Sequence, residues 1–330
     1  MNGVAESALA RQLADLMATV LDVSHVEVHD VQRLSGGASR ETWAFDVEHA
    51  AGVESLILRR APTADGDGGL MLLEAAALRE AARAGVPAPE VLAAEADPAV
   101  LDAPFLVMRR VSGETIARRI LREEAFADVR PRLADQCGAI LGALHTMDPT
   151  ALPGAPEVDV LTDLRATFEA ADVASPALEL ALRWLAANRP EQSRRTVVHG
   201  DFRHGNLIID PDGVRAVLDW ERVHIGDPME DLGWLCVRAW RFGAQLPVGG
   251  FGRYEDLFAA YERASGYRVD PRVVGWWELY GTVQWGVTCI TQADRHLSGA
   301  ERSVELIAIG RRLCEQEHDC LDFLRHRRSA

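Results

Sequence analysis

Apolar positions recur along this chain with two periods. Leu9, Leu13, Leu16 and Val20 fall on one face of an amphipathic helix. Short β-branched runs at 26–28, 42–47, 55–60 and 105–108 read as strands. The stretch from Leu70 to Ala84 returns to helical spacing through Leu70, Leu73 and Ala77, and Gly85-Val86-Pro87 ends it. Leu133, Ile140, Leu141 and Leu144 mark another helix that stops near His145. Three short apolar runs follow at 196–198, 206–209 and 214–218. The tail from Pro271 to Arg328 is helical in pattern, with Trp276, Trp277, Tyr280, Trp285 and Leu297 making it aromatic and apolar. Helix, strands, helix, strands and then mostly helices predict an α+β fold of two lobes, a small sheet lobe first and a helical lobe second. The boundary falls near Arg110 to Gly113, which divides the chain into 1–111 and 112–330.

The second lobe holds the chemistry. His199-Gly200-Asp201-Phe202-Arg203-His204-Gly205-Asn206 reads H-G-D-x-x-x-x-N, and Asp219 follows in Val217-Leu218-Asp219-Trp220-Glu221. Phosphoryl transfer needs one carboxylate to orient or deprotonate the attacking hydroxyl. It needs other oxygen ligands for the magnesium that neutralises the phosphates. Asp201 suits the first role; Asn206 and Asp219 suit the second. Between them, Asp210-Pro211-Asp212-Gly213 is a turn sequence, because Pro presets φ and Gly accepts positive φ. A hairpin centred between Asp212 and Gly213 pairs position 206 with 219 and sets two hard oxygen ligands side by side.

These residues, with Gly226-Asp227-Pro228-x-x-Asp231-Leu232-Gly233, resemble the aminoglycoside phosphotransferase family, relatives of the protein kinases. Within it they resemble most the kinase-like module of acyl-CoA dehydrogenase fusion proteins. The resemblance runs from Leu34 to the C-terminal helices. Asp219-Trp220-Glu221 stands where protein kinases carry Asp-Phe-Gly, which argues against a protein kinase. The resemblance implies a two-lobe protein-kinase-like fold, with a small antiparallel-sheet N-lobe and a larger, mainly helical C-lobe. It implies ATP and Mg2+ as cofactors. It implies transfer of the γ-phosphate to a hydroxyl of a small molecule, either of hydroxyacyl or hydroxy-acid type or aminoglycoside-like.

It also assigns nucleotide-binding positions. Ser35, Gly36, Gly37 and Ser39 lie between two strands, where small residues let backbone amides approach phosphates. The full G-x-G-x-x-G of protein kinases is missing. A kinase-type site uses a strand lysine to hold phosphates, yet the chain contains no lysine; all 35 basic residues counted as Lys+Arg are arginine. The L-x-L-cation pattern picks Arg59 for that role. Arg60 is second and points to the opposite face. Arginine forks onto two phosphate oxygens where lysine is a point charge. Glu74 is the residue expected to orient Arg59, with Glu80 as competitor. Met108 and the backbone from Arg109 to Val111 are expected around the adenine, Met108 being equally suited to the core.

His145 reads as a packing residue, His199 as a brace of the catalytic loop, and Asp231 as an acceptor for that loop's amides. Asp227-Pro228 opens a helix and is suited to cap it. Arg203 has three readings: stabilising transferred phosphate charge, binding an acidic substrate, or pairing with a nearby carboxylate. The aromatic tail would wall the acceptor site or form helix–helix core.

Composition changes this picture little. A net charge of −15 disfavours nucleic acid as a partner. No apolar run is long enough to span a membrane, and the start lacks the basic and apolar regions of a signal peptide. Five scattered cysteines read as reduced structural thiols of a cytoplasmic protein. Cys314 and Cys320 with His318 and His326 show no metal-ligand spacing. Nothing in the sequence sets the oligomeric state. The rival to a small-molecule kinase is a nucleotide-binding pseudokinase or regulatory module, suggested by the missing lysine and the irregular glycine loop.

Overall fold

The computed structural model describes residues 2–34, 40–64, 66–191 and 194–327. The N-lobe comprises α1 (Asn2–Val20), β1 (Glu27–Arg33), β2 (Glu41–His49), β3 (Gly52–Arg60), α2 (Gly68–Arg83), β4 (Val91–Glu95) and β5 (Phe105–Arg109). The C-lobe begins with α3 (Ala117–Arg122), α4 (Leu133–Leu144), α5 (Val160–Ala170) and α6 (Pro176–Ala187). Four short strands follow: β6 (Thr196–Val198), β7 (Leu207–Asp210), β8 (Gly213–Val217) and β9 (His224–Gly226). Helices α7 (Met229–Cys236), α8 (Tyr254–Ser265), α9 (Pro271–Leu297), α10 (Val304–Gly310) and α11 (Leu313–Arg327) complete it.

The N-lobe sheet is antiparallel in the order β1-β2-β3-β5-β4. Strand alternation gives its faces different partners. Leu56 and Leu58 of β3 join Phe45, Val47 and Val107 in a core covered by Leu9, Leu13 and Met17 of α1. Ile57 faces the other way, onto the core built from α2 and the C-lobe. Arg59 shares that second face, which is why it reaches the cleft. Arg60 turns back to Glu41 at 2.7 Å and the Leu101 carbonyl at 3.2 Å.

Helix α2 starts at Asp67, whose side chain accepts from the Leu70 amide at 3.1 Å. It gives way to Gly85 at φ +81. Its buried face is Met71, Glu74, Ala75, Ala77, Leu78 and Ala81, offset from the expected stripe: Leu70 is exposed and Leu73 only partly buried. Leu70, in the first turn, is 46% exposed. In the tail, Trp276, Trp277 and Tyr280 are core, and Leu297 ends α9 in solvent at 75% exposure.

The hairpin β7–β8 corrects the expected register. Asp210 pairs with Gly213 and Ile209 with Val214, but Ile208 pairs with Ala216. The turn is thus centred between Pro211 and Asp212, one residue earlier than expected, which alone would set Asn206 opposite Val217; Arg215 is an extra residue, a bulge that moves the open end back by one. The Leu218 amide therefore bonds the Asn206 carbonyl at 2.8 Å, so Asn206 lies opposite Leu218, not Asp219. Asp219 follows in a left-handed conformation, φ +66.

Between the lobes the chain crosses this hairpin closely. The Glu114 amide donates to the Ile209 carbonyl at 2.8 Å, and the Ile209 amide returns a bond to the Glu114 carbonyl at 3.0 Å. At Gly113, φ +145, a Cβ would stand 2.5 Å from Ile208 Cγ2, so only glycine fits.

Candidate active site

Strand β6 leads into the loop 199–206, and one buried carboxylate sets its shape. Asp231 on α7, fully buried, accepts the amides of His199 at 2.8 Å and Gly200 at 2.9 Å. The same carboxylate meets His145 Nε2 at 3.1 Å, and His145 Nδ1 meets the Tyr261 hydroxyl at 3.1 Å. Burial alone would raise the Asp231 carboxyl. The hydrogen bond and charge of His145, with His199 and its amide, outweigh burial and hold it below the ordinary carboxylate value. Gly200, at φ +77, has the Arg222 carbonyl 2.7 Å from where a Cβ would be. His199 is buried, and burial lowers its pKa, so it is neutral. Its Nδ1 accepts the Asp201 amide at 3.1 Å, which leaves Nε2–H to donate to the Leu218 carbonyl at 3.0 Å. Both histidines are structural, as expected.

Asp201 is held on three sides. Its Oδ1 accepts from Trp234 Nε1 at 2.7 Å and Arg203 Nε at 3.0 Å. Its Oδ2 accepts from Asn206 Nδ2 at 2.6 Å. A carboxylate oxygen has two in-plane lone-pair sites, so Oδ1 is filled and Oδ2 keeps one position. Of the readings left open for Arg203, the structure shows a pair with a nearby carboxylate, and the guanidinium also lies on the Trp240 ring at 4.8 Å. Asn206 spends its amide nitrogen on Asp201, which leaves its oxygen as the atom able to face a cation.

Across the cleft, Glu74, 1% exposed, binds both Arg59 and Arg40. Arg59 Nη2 reaches Asp219 Oδ1 at 3.0 Å and Glu221 Oε2 at 3.8 Å; Arg40 Nε lies 3.9 Å from Glu221 Oε2. Burial, then the neighbouring Arg59, lowers the Arg40 pKa, with Glu221 and Asp219 opposing. Glu80 pairs instead with Arg83 on the outer surface of α2. Arg40 and Trp234 were missed from the sequence. Only proximity in the fold brings them to the site.

The adenine-side expectations separate. Met108 is buried in the core that α2 shares with the C-lobe. The Arg109 amide bonds the Glu90 carbonyl and the Arg110 amide bonds the Ser55 carbonyl, both at 2.9 Å. The Arg109 side chain holds Glu90 and Glu54. The first amide past the sheet is therefore that of Val111. Ser35, Gly36, Gly37 and Ser39 lie outside the described residues.

The donor set suits magnesium, which takes one or two protein carboxylates or neutral oxygens beside phosphate and water. Asp219 and the Asn206 oxygen provide those. Among the described residues, no group of three or more His, Cys, Asp or Glu is placed to hold a metal. No helix among them is long and apolar enough to cross a membrane.

Residues 30–273 match the phosphotransferase enzyme family. Acyl-CoA dehydrogenase family member 10 of Mus musculus is 31% identical over 223 residues, 61% of this chain and 20% of that protein. Family member 11 of Gallus gallus is 34% identical over 211 residues, 56% of this chain and 26% of that protein. The chain thus spans about a fifth to a quarter of these relatives. Among solved structures, a Ralstonia eutropha protein assigned to the aminoglycoside phosphotransferases has TM-score 0.77 at 20% identity, covering 96% of this chain and 98% of that one. A GDP complex of aminoglycoside 2'-phosphotransferase-IIIa has TM-score 0.64 at 16% identity, with the same two coverages. At such identities these structures show the fold, a kinase-like phosphotransferase fold.

Proposed function

The chain belongs to the phosphotransferase enzyme family, and from that premise we propose that it moves the γ-phosphate of ATP to a hydroxyl of a small molecule with magnesium. The acceptor is of hydroxyacyl or hydroxy-acid type, with an aminoglycoside-like alcohol as the alternative. One observation carries the reading: Asp201 is fixed by three donors, with a single position open on Oδ2. An acceptor hydroxyl there would donate its proton to Oδ2 while its oxygen attacks phosphorus. The fixed carboxylate needs little reorganisation, which is the main protein contribution to such transfers. Arg59, oriented by Glu74, would hold phosphate oxygens. Arg203 would add positive charge beside the transferred group. Val111 would offer its amide to the adenine edge. Magnesium, held by Asp219 and the Asn206 oxygen, would supply charge neutralisation to the phosphates.

Asp201→Asn tests this. Turnover is expected to fall about 10²–10⁴-fold, the usual contribution of a positioned base, with ADP affinity unchanged. Undiminished turnover would remove Asp201 from the chemistry.

A nucleotide-binding pseudokinase is the second reading, favoured by the Arg59–Asp219 pair, which occupies the carboxylate a cation needs. Titration of ADP with and without magnesium, on wild type and Asp219→Ala, separates the two. Magnesium-dependent binding lost in the variant supports the enzyme. Magnesium-independent binding, with no acceptor phosphorylated, supports the pseudokinase.

A further inference from the structure

The chain has no lysine, and the N-lobe sheet presents two arginines where a kinase-type site has one strand cation. Thr42 of β2 pairs with Arg59 of β3, and Arg40 stands two positions before Thr42. Alternation therefore sets Arg40 and Arg59 on the same face of neighbouring strands. Both reach Glu74 on α2.

The charges at this point do not balance within the N-lobe. Glu74, 1% exposed, is one carboxylate against two guanidiniums. A lysine–glutamate pair is neutral as a unit; this triad keeps one positive charge. Burial and the charge of Arg59 both work against the Arg40 guanidinium, whose side chain is 10% exposed. The anions that offset it come from the other lobe. Asp219 meets Arg59 at 3.0 Å, and Glu221 stands 3.8 Å from Arg59. Arg40 Nε is 3.9 Å from Glu221, beyond hydrogen-bond reach. Arg40 thus spends Nη1 on Glu74 and on Met71 Sδ at 3.6 Å, while its Nε faces a carboxylate that it does not bond. The phosphates of a nucleotide are the anion such an edge suits, because they are multiply charged and accept a forked pair of donors. They would also replace the counter-charge of Asp219 when a cation takes that carboxylate.

We infer that Arg40 is a second phosphate-holding cation, acting beside Arg59 on the phosphates of the bound nucleotide. The two arginines together stand in for the absent lysine. The inference rests on nucleotide binding, which both readings of the proposed function share, and not on phosphoryl transfer.

Calorimetric titration of ADP with magnesium, and of adenosine, into the wild type, Arg40→Met and Arg40→Lys tests this. Arg40→Met should weaken ADP about tenfold or more, the usual scale of a charged hydrogen bond, and leave adenosine unchanged. Arg40→Lys, which keeps a charge against Glu74, should recover most of that loss. Equal ADP affinity in all three proteins would overturn the role. So would an equal loss for ADP and adenosine, which marks a distorted site. Arg40→Met on an Arg59→Lys background separates direct contact from support. The same loss there means that Arg40 acts on its own. A loss that vanishes means that it acts only through Arg59, and the second-cation role falls. If the wild type binds neither ADP nor GDP, the nucleotide reading itself fails and the role falls with it. If the wild type binds ADP and Arg40→Met binds it equally, that reading stands and only Arg40 is removed.

Discussion

Arg59 and Asp219 meet across the cleft, Nη2 to Oδ1 at 3.0 Å, although 160 positions separate them in the chain. In the proposed role, a cation at Asp219 would share the carboxylate with Arg59 or displace it. Arg59→Lys keeps one charge and loses the fork. In that variant, the magnesium concentration giving half-maximal ADP binding should fall a few-fold, while ADP affinity at saturating magnesium falls about tenfold. Calorimetry across a magnesium series reads both. Two unchanged values would show that the contact has no part in nucleotide binding.

Glu74 is a buried anion shared by two arginines, so its neutral amide isostere should be costly. Removing one partner of a buried ion pair typically costs about 3–5 kcal/mol, and urea unfolding of Glu74→Gln should show a loss near the lower figure. Arg40→Met should lose less, because Arg59 still neutralises the carboxylate. A larger loss for Arg40→Met would mean that Arg40 stabilises the lobe through other contacts.

Trp234 holds Asp201 by one hydrogen bond to a carboxylate, a class worth about 1.5–3 kcal/mol. Trp234→Phe keeps the packing and deletes the donor. We expect kcat to fall about tenfold or more with KM for ATP nearly unchanged. A change in KM alone would assign Trp234 to binding.

Two histidines should shape stability against pH from opposite sides. Burial alone would lower His224, but the Glu230 hydrogen bond and charge raise it to about 9. Its folded value thus exceeds the ordinary one of about 6.5. Its contribution is complete below about 6.5 and lost as pH rises through about 9. Burial pushes His204 down to about 4, with only the Gly249 carbonyl opposing. Its contribution is present above about 6.5 and lost as pH falls toward 4. Melting temperatures across pH should show a flatter alkaline limb for His224→Gln and a flatter acid limb for His204→Phe. Limbs identical to the wild type would assign the pH dependence elsewhere.

The geometry of the loop 199–206 was legible because its residues are close in sequence. The turn at Asp210-Pro211-Asp212-Gly213 follows from local chemistry, and strand alternation sends Arg59 and Arg60 to opposite faces; the bracing by His199 and Asp231 comes from the family resemblance. The register at Asn206 was not legible. The turn centres between Pro211 and Asp212, one residue before the expected place, and the bulge at Arg215 recovers only one of the two positions lost; a turn sequence of four residues does not say which two form the tip, and bulges leave little trace in composition. Arg40 and Trp234 were invisible for another reason: their partners lie 34 and 33 positions away, and each is an ordinary surface or core residue by local pattern. Leu70 and Leu297 misled because an apolar stripe continues past the point where the fold still covers it.

The paired hydrogen bonds between Glu114 and Ile209 fix where this molecule can bend. The linker is stitched to the hairpin preceding Asp219 immediately after Gly113, and the Val217 amide of the same hairpin donates to the Pro87 carbonyl of the N-lobe at 2.8 Å, so a rotation about the bonds from Arg110 to Ser112 must also flex that second tie. Asn206, Asp219 and the linker's far end then travel as one body. Opening and closing the cleft would swing the Arg59–Glu74–Arg40 cluster toward or away from a stationary acid set, and the Arg59–Asp219 contact becomes the latch of that motion.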